Sequence, residues 1–521
     1  MSWEKEIDEL RLRRRLARKL GGEEAIERQH SFGKLTARER IDKLLDEASF
    51  HEMGTLTGKA EYDADGAFCD ITPANAIMGQ GRIDGHRVVV SADDFTIRGG
   101  SSESTISDKW VFAERLAFEM RMPLIRLVDS AGGSVRLLEQ QGQTKIPGYP
   151  AWPLTRLMGA VPVVGVALGA CAGLGAIKVA FSHFSVMVKE TSQVFAAGPP
   201  VVKQGLGAEI DKEALGGYRV HARGSGVVQN EANSEEDALH QVRNYLSYLP
   251  RNVWEMPERG ETGDDPRRAD EALIDAIPED RRKVYDARKI LTSVFDRDSI
   301  FEIGRYNGRS SICALARLDG YPVGVMANDP YHAGGAMTRR AAEKTEKFVD
   351  VCDTFHLPIV NLVDQPGVMT GIEAEKAGTV GAALRALAAI EQSATPWISI
   401  ILRRVFGVAG GAHGPKHGID GSSVNLRYAW PSARWGSIPI EGGVQAAFRK
   451  EIEAAPDPDA RRAEIEARYE KLASPFRSAE RFSILDIINP RETRPILTEW
   501  VKDAYALLPA QLGPKTRTMR C

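Results

Sequence analysis

The chain has 521 residues, 68 Lys and Arg against 71 Asp and Glu, a formal charge of −3, and 43% hydrophobic residues. That length predicts two to four domains, and the balance excludes a mainly disordered chain or a globally basic nucleic-acid binder. No run approaches the ~20 apolar residues of a membrane span. The N-terminus, MSWEKEIDELRLRRRLARK, reads as a charged amphipathic helix and not as a secretory signal or transit peptide. The expected setting is therefore cytoplasmic, or the mitochondrial matrix in a eukaryote. Five scattered cysteines (Cys69, Cys171, Cys313, Cys352, Cys521) with no CxxC argue against a disulfide framework and a structural zinc site. No bound metal is expected.

In chain order, Thr36-Ala37-Arg38-Glu39 reads as a capping box opening a helix through Ile41, Leu44 and Leu45. A β-branched strand, VVVSADDF, leads to Gly99-Gly100. A helix is expected from Ser107 to about Met122, then the strand PLIRLVD ending at Asp129, then VPVVGVALGA running into CAGLGA. Residues 250–283 hold four prolines and many charges and read as punctuation, with a connector at 258–283 between domains at 1–257 and 284–521. After it the same order returns: VGVMAND, Gly334-Gly335, a helix from Ala341 to about Leu357, PIVNLVD ending at Asp364, and TPWISIILRR. Residues 453–475 read as a charged helical excursion broken by Pro456 and Pro458.

This return is a duplication. Asp94 maps to Asp329, Gly99-Gly100 to Gly334-Gly335, Lys109 to Lys344, Pro123 to Pro358 and Asp129 to Asp364, all at a shift of 235. Pro162 maps to Pro396 and Gly173 to Gly407 at a shift of 234, so one indel suffices. Continuous apolar strands alternating with helices predict buried, largely parallel sheets. The fold expected is two tandem α/β domains.

The glycine segments Gly169–Ala176 and Val405–Ala412 follow matched strands and enter helices. Such turns aim backbone N–H groups at one point, where an oxyanion can be stabilised; tight helix–sheet packing is the alternative. No GxSxG, HExxH or GxxxxGK[ST] motif occurs. Cys171 reads as a small buried residue, His332 and His413 as surface or packing residues, and Asp129 and Asp364 as caps of the loops that follow them. Two backbone sites without an acid–base set suit a substrate whose enolate needs only stabilisation.

The motifs DDFTIRGGS, LVDSAGG, CAGLGA, VKETSQVFAAGP, ALGGYRVHARGSGV, YDARKIL, GYPVGVMAND, LPIVNLVDQPG and YAWPSARWGS carry a family likeness over nearly the whole chain. It resembles the carboxyltransferase (β) subunits of biotin-dependent acyl-CoA carboxylases, of the propionyl-CoA carboxylase type. The resemblance implies two crotonase-type domains in a homohexamer, a dimer of trimers, with the site between the N domain of one subunit and the C domain of another. It implies carboxyl transfer from carboxybiotin to the α-carbon of an acyl-CoA, propionyl-CoA as first expectation. Gly173 and Leu174 would supply N–H groups to the thioester oxygen, Val408 and Ala409 to the biotin ureido oxygen. Gly99, Gly100, Gly132, Gly133, Gly410 and Gly411 would line the substrate side, and Gly367, Phe406 and Gly407 the biotin side.

No biotin-attachment motif or ATP-binding domain is present, so a separate biotin carboxylase and biotin carrier are expected as partners. Nucleic acid and membrane are not. The family's KAYGGAYD stands here as RVFGVAGG, so Gly410 and Gly411 replace a Tyr and an Asp, which predicts a wider acyl pocket. DSAGG carries one residue more than the family's DSGG, and Leu174 stands for a glycine. A decarboxylase carboxyltransferase subunit has the same fold, and a non-catalytic paralogue in a mixed ring is a second alternative.

Overall fold

The computed structural model describes residues 2–101, 107–133, 135, 151–412, 414 and 426–515. It divides into two compact units, Met1–Glu255 and Met256–Arg520. In the first, β1 (His51–Met53), β4 (Ala76–Ile83), β5 (His86–Asp93), β6 (Leu124–Ser130), β7 (Val163–Ala172), β8 (Phe184–Val188) and β10 (Asn230–Ala232) lie side by side in that order. β9 (Gln193–Phe195) pairs with β7 beyond β8, and β2 (Gly58–Tyr62) with β3 (Phe68–Pro73) makes a separate hairpin.

The second unit repeats this order with β11 (Phe301–Ile303), β12 (Ser311–Leu318), β13 (Tyr321–Asn328), β14 (Ile359–Gln365), β15 (Trp397–Phe406), β16 (Leu426–Ala429) and β18 (Asp486–Ile487), and β17 (Arg434–Gly436) pairs with β15. In both sheets the first three strands are antiparallel and the rest parallel. All seven residues of β6 and of β14 are buried, as strands covered on both faces require.

The duplication reaches further upstream than the sequence landmarks. β1 maps to β11 at a shift of 250, whereas β4 maps to β12 at 235. The 15 additional residues lie in the segment that holds the β2–β3 hairpin. Across the insertion, Asp46 accepts from the N–H groups of Asp84 and Gly85 at 3.0 and 2.8 Å, and Asp296 accepts from Asp319 and Gly320 at the same two distances. Positive φ also recurs at matched non-glycine positions: Asp84 and Asp319 at 50°, Arg98 and Ala333 at 50° and 48°, Arg121 and His356 at 53° and 57°. Arg98 and Ala333 share no chemistry, so the shared backbone dictates the conformation and its cost.

The Thr36–Glu39 capping box forms, with Thr36 N–H donating to Glu39 Oε2 at 2.7 Å and Glu39 N–H to Thr36 Oγ1 at 3.3 Å. It starts the helix Ala37–Leu44, which delivers Arg40 to the interior. The helices Ser107–Glu119 and Arg339–Thr354 each end a turn before the expected point. The positive-φ residues Arg121 and His356 turn the chain into the next strand. The N-terminal helix Glu4–Ala17 lies on the hairpin, with the Arg13 guanidinium 3.8 Å from the Phe68 ring centroid. Residues expected to connect the units pack on the second one. Gly260 N–H donates to Gly320 O at 2.9 Å, Arg268 donates to Ser293 O and Phe295 O, and Leu273 enters the core.

Of the repeat landmarks Lys109 and Lys344, the first is buried and the second half-buried. Lys344 Nζ donates to Gly304 O and Asn307 O at 3.2 and 2.8 Å. Burial pushes the Lys109 pKa down to about 8, against an upward pull from Glu52. A lysine with a folded pKa below its unfolded one lowers stability fully while it is charged in both states, and this cost fades as pH rises from about 8 towards 10.4. Lys109→Met is therefore expected to raise the unfolding free energy at pH 7, by an amount of order 3 kcal/mol at most. At pH 10.5 the gain should be largely gone. Denaturant titrations at the two pH values check this, and a pH-independent gain would assign the effect to packing.

Candidate active site

Three glycine loops meet at the carboxyl ends of β5, β6 and β7. Gly99 and Gly100 have φ of 64° and 62°. Ala131 N–H donates to Gly99 O at 2.9 Å, and Ser130 Oγ to Gly100 O at 2.7 Å. A Cβ on Gly100 would fall 2.2 Å from Asp129 O, and one on Gly132 3.1 Å from the Ala172 Cβ. Close backbone approach thus requires glycine at both positions. Gly133 follows as an exposed residue. In the second unit Gly334, Gly335, Gly367 and Gly407 occupy the matched places with φ of 59°, 84°, 127° and 65°. Met337 N–H donates to Gly367 O at 2.9 Å, and buried Phe406 ends β15 immediately before Gly407.

The expected donors Gly173 and Leu174 sit at the turn between β7 and the helix that follows it. Gly173 (φ 54°, ψ −111°) caps the helix Leu174–Ala180, and its N–H donates to Phe195 O at 3.1 Å, extending the β7–β9 pairing. The first intrahelical bond runs from Ile177 N–H to Gly173 O. Three N–H groups precede it, on Leu174, Gly175 and Ala176, and have no acceptor among the described residues; the two next to Gly173 are Leu174 and Gly175. At the shift of 234 these two map to Val408 and Ala409, in the first turn of the helix Gly407–Gly411. The pairs in register are Leu174/Gly175 and Val408/Ala409; Gly173 is the counterpart of Gly407 and shapes the turn.

Asp129 and Asp364 do not cap loops. Each sits where its strand slips register against β7 or β15. Asp129 is fully buried and accepts from Lys34 Nζ at 2.8 and 3.1 Å, from Arg40 Nη1 at 3.1 Å and from Gln29 Nε2 at 3.2 Å. Arg40 also makes a two-pronged pair with Glu235. Asp364 accepts from Arg403, Arg404 and the Tyr285 hydroxyl, at 2.9 Å, 2.6 Å and 3.0 Å for the shortest bond of each. Burial and the Asp364 charge push the Tyr285 pKa well up. These carboxylates are structural counter-ions, spent on neighbours that sequence spacing did not reveal.

Cys171 is buried against Val128 O, its thiol pushed well up by burial, as expected of an inert packing residue. His332 is part-exposed and 3.9 Å from Asp329; His413 lies outside the described residues. Among the described residues no group of three His, Cys, Asp or Glu could hold a metal, and no helix is long and apolar enough to cross a membrane.

The carboxyl transferase domain family matches residues 28–504. The chain belongs to the carboxyl transferase family. The carboxyltransferase subunit of propionyl-CoA carboxylase from Haloferax mediterranei is 37% identical, over 95% of each chain. The methylmalonyl-CoA decarboxylase subunit alpha of Veillonella parvula is 33% identical over 91% of each. A solved transcarboxylase 12S structure, described as a hexamer assembly with methylmalonyl-coenzyme A bound, superposes with a TM-score of 0.86 at 30% identity, covering 100% of this chain and 98% of that one. The two repeated sheets are thus the two crotonase-like domains of a carboxyl transferase.

The carboxyl transferase's departures at 410 and 411 have different consequences. A Cβ on Gly410 would fall 2.8 Å from the Val405 carbonyl carbon, so that glycine is imposed by packing and its missing side chain opens no space. A Cβ on Gly411 would meet nothing within 4 Å among the described residues. The widening expected from sequence therefore reduces to position 411. The sequence reading also missed Arg126 and Lys178, two charges buried beside the first turn. Each is a lone cation inside an apolar run, PLIRLVD and AIKVAF, and that interruption was the available signal.

Proposed function

We propose that this chain transfers a carboxyl group between carboxybiotin and the α-carbon of an acyl-CoA, with the first unit on the acyl-CoA side and the second on the biotin side. The observation that carries the reading is the matched glycine turn that opens a helix in both units, with Leu174 and Gly175 in register with Val408 and Ala409. Leu174 and Gly175 hold the thioester oxygen as negative charge grows on it, a contribution of a few kcal/mol per donor. Val408 and Ala409 fit a ureido oxygen, because the turn offers backbone N–H donors beside small residues. Carboxybiotin, when bound, supplies the carboxyl group and the base for the α-proton, in keeping with a turn that holds no acid–base pair of its own.

The biotin is carried by a separate protein, and the working assembly is a homohexamer as in the 12S relative. Propionyl-CoA is the first substrate class to test, with longer or branched acyl groups next. Purified chain, free biotin or a carboxylated carrier, and a series of acyl-CoAs should give carboxylated product; no transfer to any of them would end the reading. The Veillonella relative favours the opposite direction as a second reading, and Na⁺-dependent release of CO₂ by a membrane-associated complex would establish it. Gly411→Asp is expected to cut kcat/KM for acyl chains of four or more carbons about tenfold relative to propionyl-CoA, as filling space for one methylene does. An unchanged ratio would remove position 411 from the pocket.

A further inference from the structure

The two units solve the space behind their turns differently. In the second, a cavity of about 30 Å³ lies behind Ala409, lined among others by Asn328, Thr345, Asn361 and Ala412. In the first, the matched positions are Asp93, Trp110, Arg126 and Lys178, bulkier side chains that are all buried. Lys178 Nζ donates to Asp93 Oδ1 at 3.0 Å, with the two side chains 9% and 6% exposed, and lies 4.8 Å from the Trp110 ring centroid.

Arg126, paired with Glu114 at 2.8 Å, donates to the carbonyls of Lys178 and Phe181 at 3.1 and 2.6 Å. The helix Leu174–Ala180 is therefore bolted to the end of β5 through Lys178 and to β6 through Arg126. Gly173 N–H ties it to β9. The helix Gly407–Gly411 has Ala412 and Asn328 in place of the ion pair.

Building on the reading above, we propose that Lys178 and Asp93 are positioning residues for the acyl-CoA half of the reaction: their buried ion pair fixes the direction of the Leu174 and Gly175 N–H groups. A buried pair in a hydrophobic setting adds little net stability, since desolvation offsets the attraction. What it does set is geometry: a helix of seven residues, too short to hold itself, is locked in one orientation against β5. Seven residues form barely two turns, so a slide of the unpinned helix would carry both donors away from the thioester oxygen.

The test is the double variant Asp93→Asn with Lys178→Ala, which installs the second unit's own residues and leaves no lone buried charge. It should fold, with a melting temperature within a few degrees of the parent. Its transfer kcat should fall at least tenfold while KM for acyl-CoA changes less than threefold. Breakdown of carboxybiotin without acyl-CoA, which tests the second unit, should be unaffected. The single variants should lose transfer as well. Hydrogen exchange at the Ile177 and Phe181 amides, which donate to Gly173 O and Ile177 O and so hold the helix together, should quicken in the double variant, a readout independent of activity. Wild-type transfer by the double variant, equal loss in both partial reactions, or unchanged exchange would each overturn the proposal. A wild-type chain inactive on every acyl-CoA would instead defeat the functional reading, and the exchange measurement would still decide whether the ion pair holds the turn.

Discussion

Gly173→Pro abolishes carboxyl transfer, with an expected loss of three orders of magnitude or more, while the chain still folds and assembles. Gly173 is held at φ 54°, and proline is confined near −65°. Proline also removes the N–H that reaches Phe195 O at 3.1 Å. The turn must re-form, and with it the directions of Leu174 and Gly175. Each donor is worth about 10²–10³ in rate, so misplacing two suffices for the predicted loss. The folding cost is local, a strained residue and one backbone hydrogen bond, of order 1–3 kcal/mol. Gly173→Ala separates backbone from bulk. Its Cβ would meet nothing closer than Ala196 O at 3.8 Å, so any loss reports the positive φ alone, and about tenfold is expected. Gly407→Pro should cripple the biotin half by the same route. Transfer at the parental rate by Gly173→Pro would mean that the turn does not hold the reacting oxygen.

The duplication was legible because Asp94, Gly99-Gly100, Pro123 and Asp129 are landmarks whose spacing survives divergence. What spacing could not reveal was pairing across the chain. Asp129 ends a strand before a loop, the position of a cap, and nothing local points to Lys34 and Arg40, 95 and 89 residues earlier. The upstream part of the duplication, Ala37-Arg38 against Ala287-Arg288, was hidden by the hairpin insertion, which changes the shift to 250. The register of the two glycine turns was readable from the same landmarks: the shift of 234 maps Gly173 onto Gly407 and Leu174 onto Val408. Residues 258–283 have a linker's composition, yet Leu273 gives them an apolar anchor, and a single anchor is a weak signal in a proline-rich segment.

Asp129→Ala is expected to destabilise the first unit by about 3–5 kcal/mol, the range seen when one partner of a buried ion cluster is removed. Lys34, Arg40, Asp129 and Glu235 form a neutral set of two cations and two anions, none more than 7% exposed. Removing one anion leaves a net buried positive charge, and Glu235 alone cannot neutralise both Lys34 and Arg40. For a unit of 150–250 residues this corresponds to a fall of roughly 6–20 °C in melting temperature. Because the cluster is buried, added salt should recover little of it.

The charge argument is tested by the pair Asp129→Ala with Lys34→Met, which restores neutrality around the surviving Arg40–Glu235 pair and should melt above Asp129→Ala alone. Gly169→Ala should mimic the loss from the other side, since its Cβ would fall 2.1 Å from Asp129 Oδ1 and drive the carboxylate off its partners. The cluster sits under the bulge that carries Ser130 and Gly132 towards the first turn, so its loss should reach activity too. Asp364→Ala, facing Arg403 and Arg404, should do the same to the second unit. If Asp129→Ala and the neutral pair melt together, the cluster's value lies in shape and hydrogen bonding and not in its charge balance.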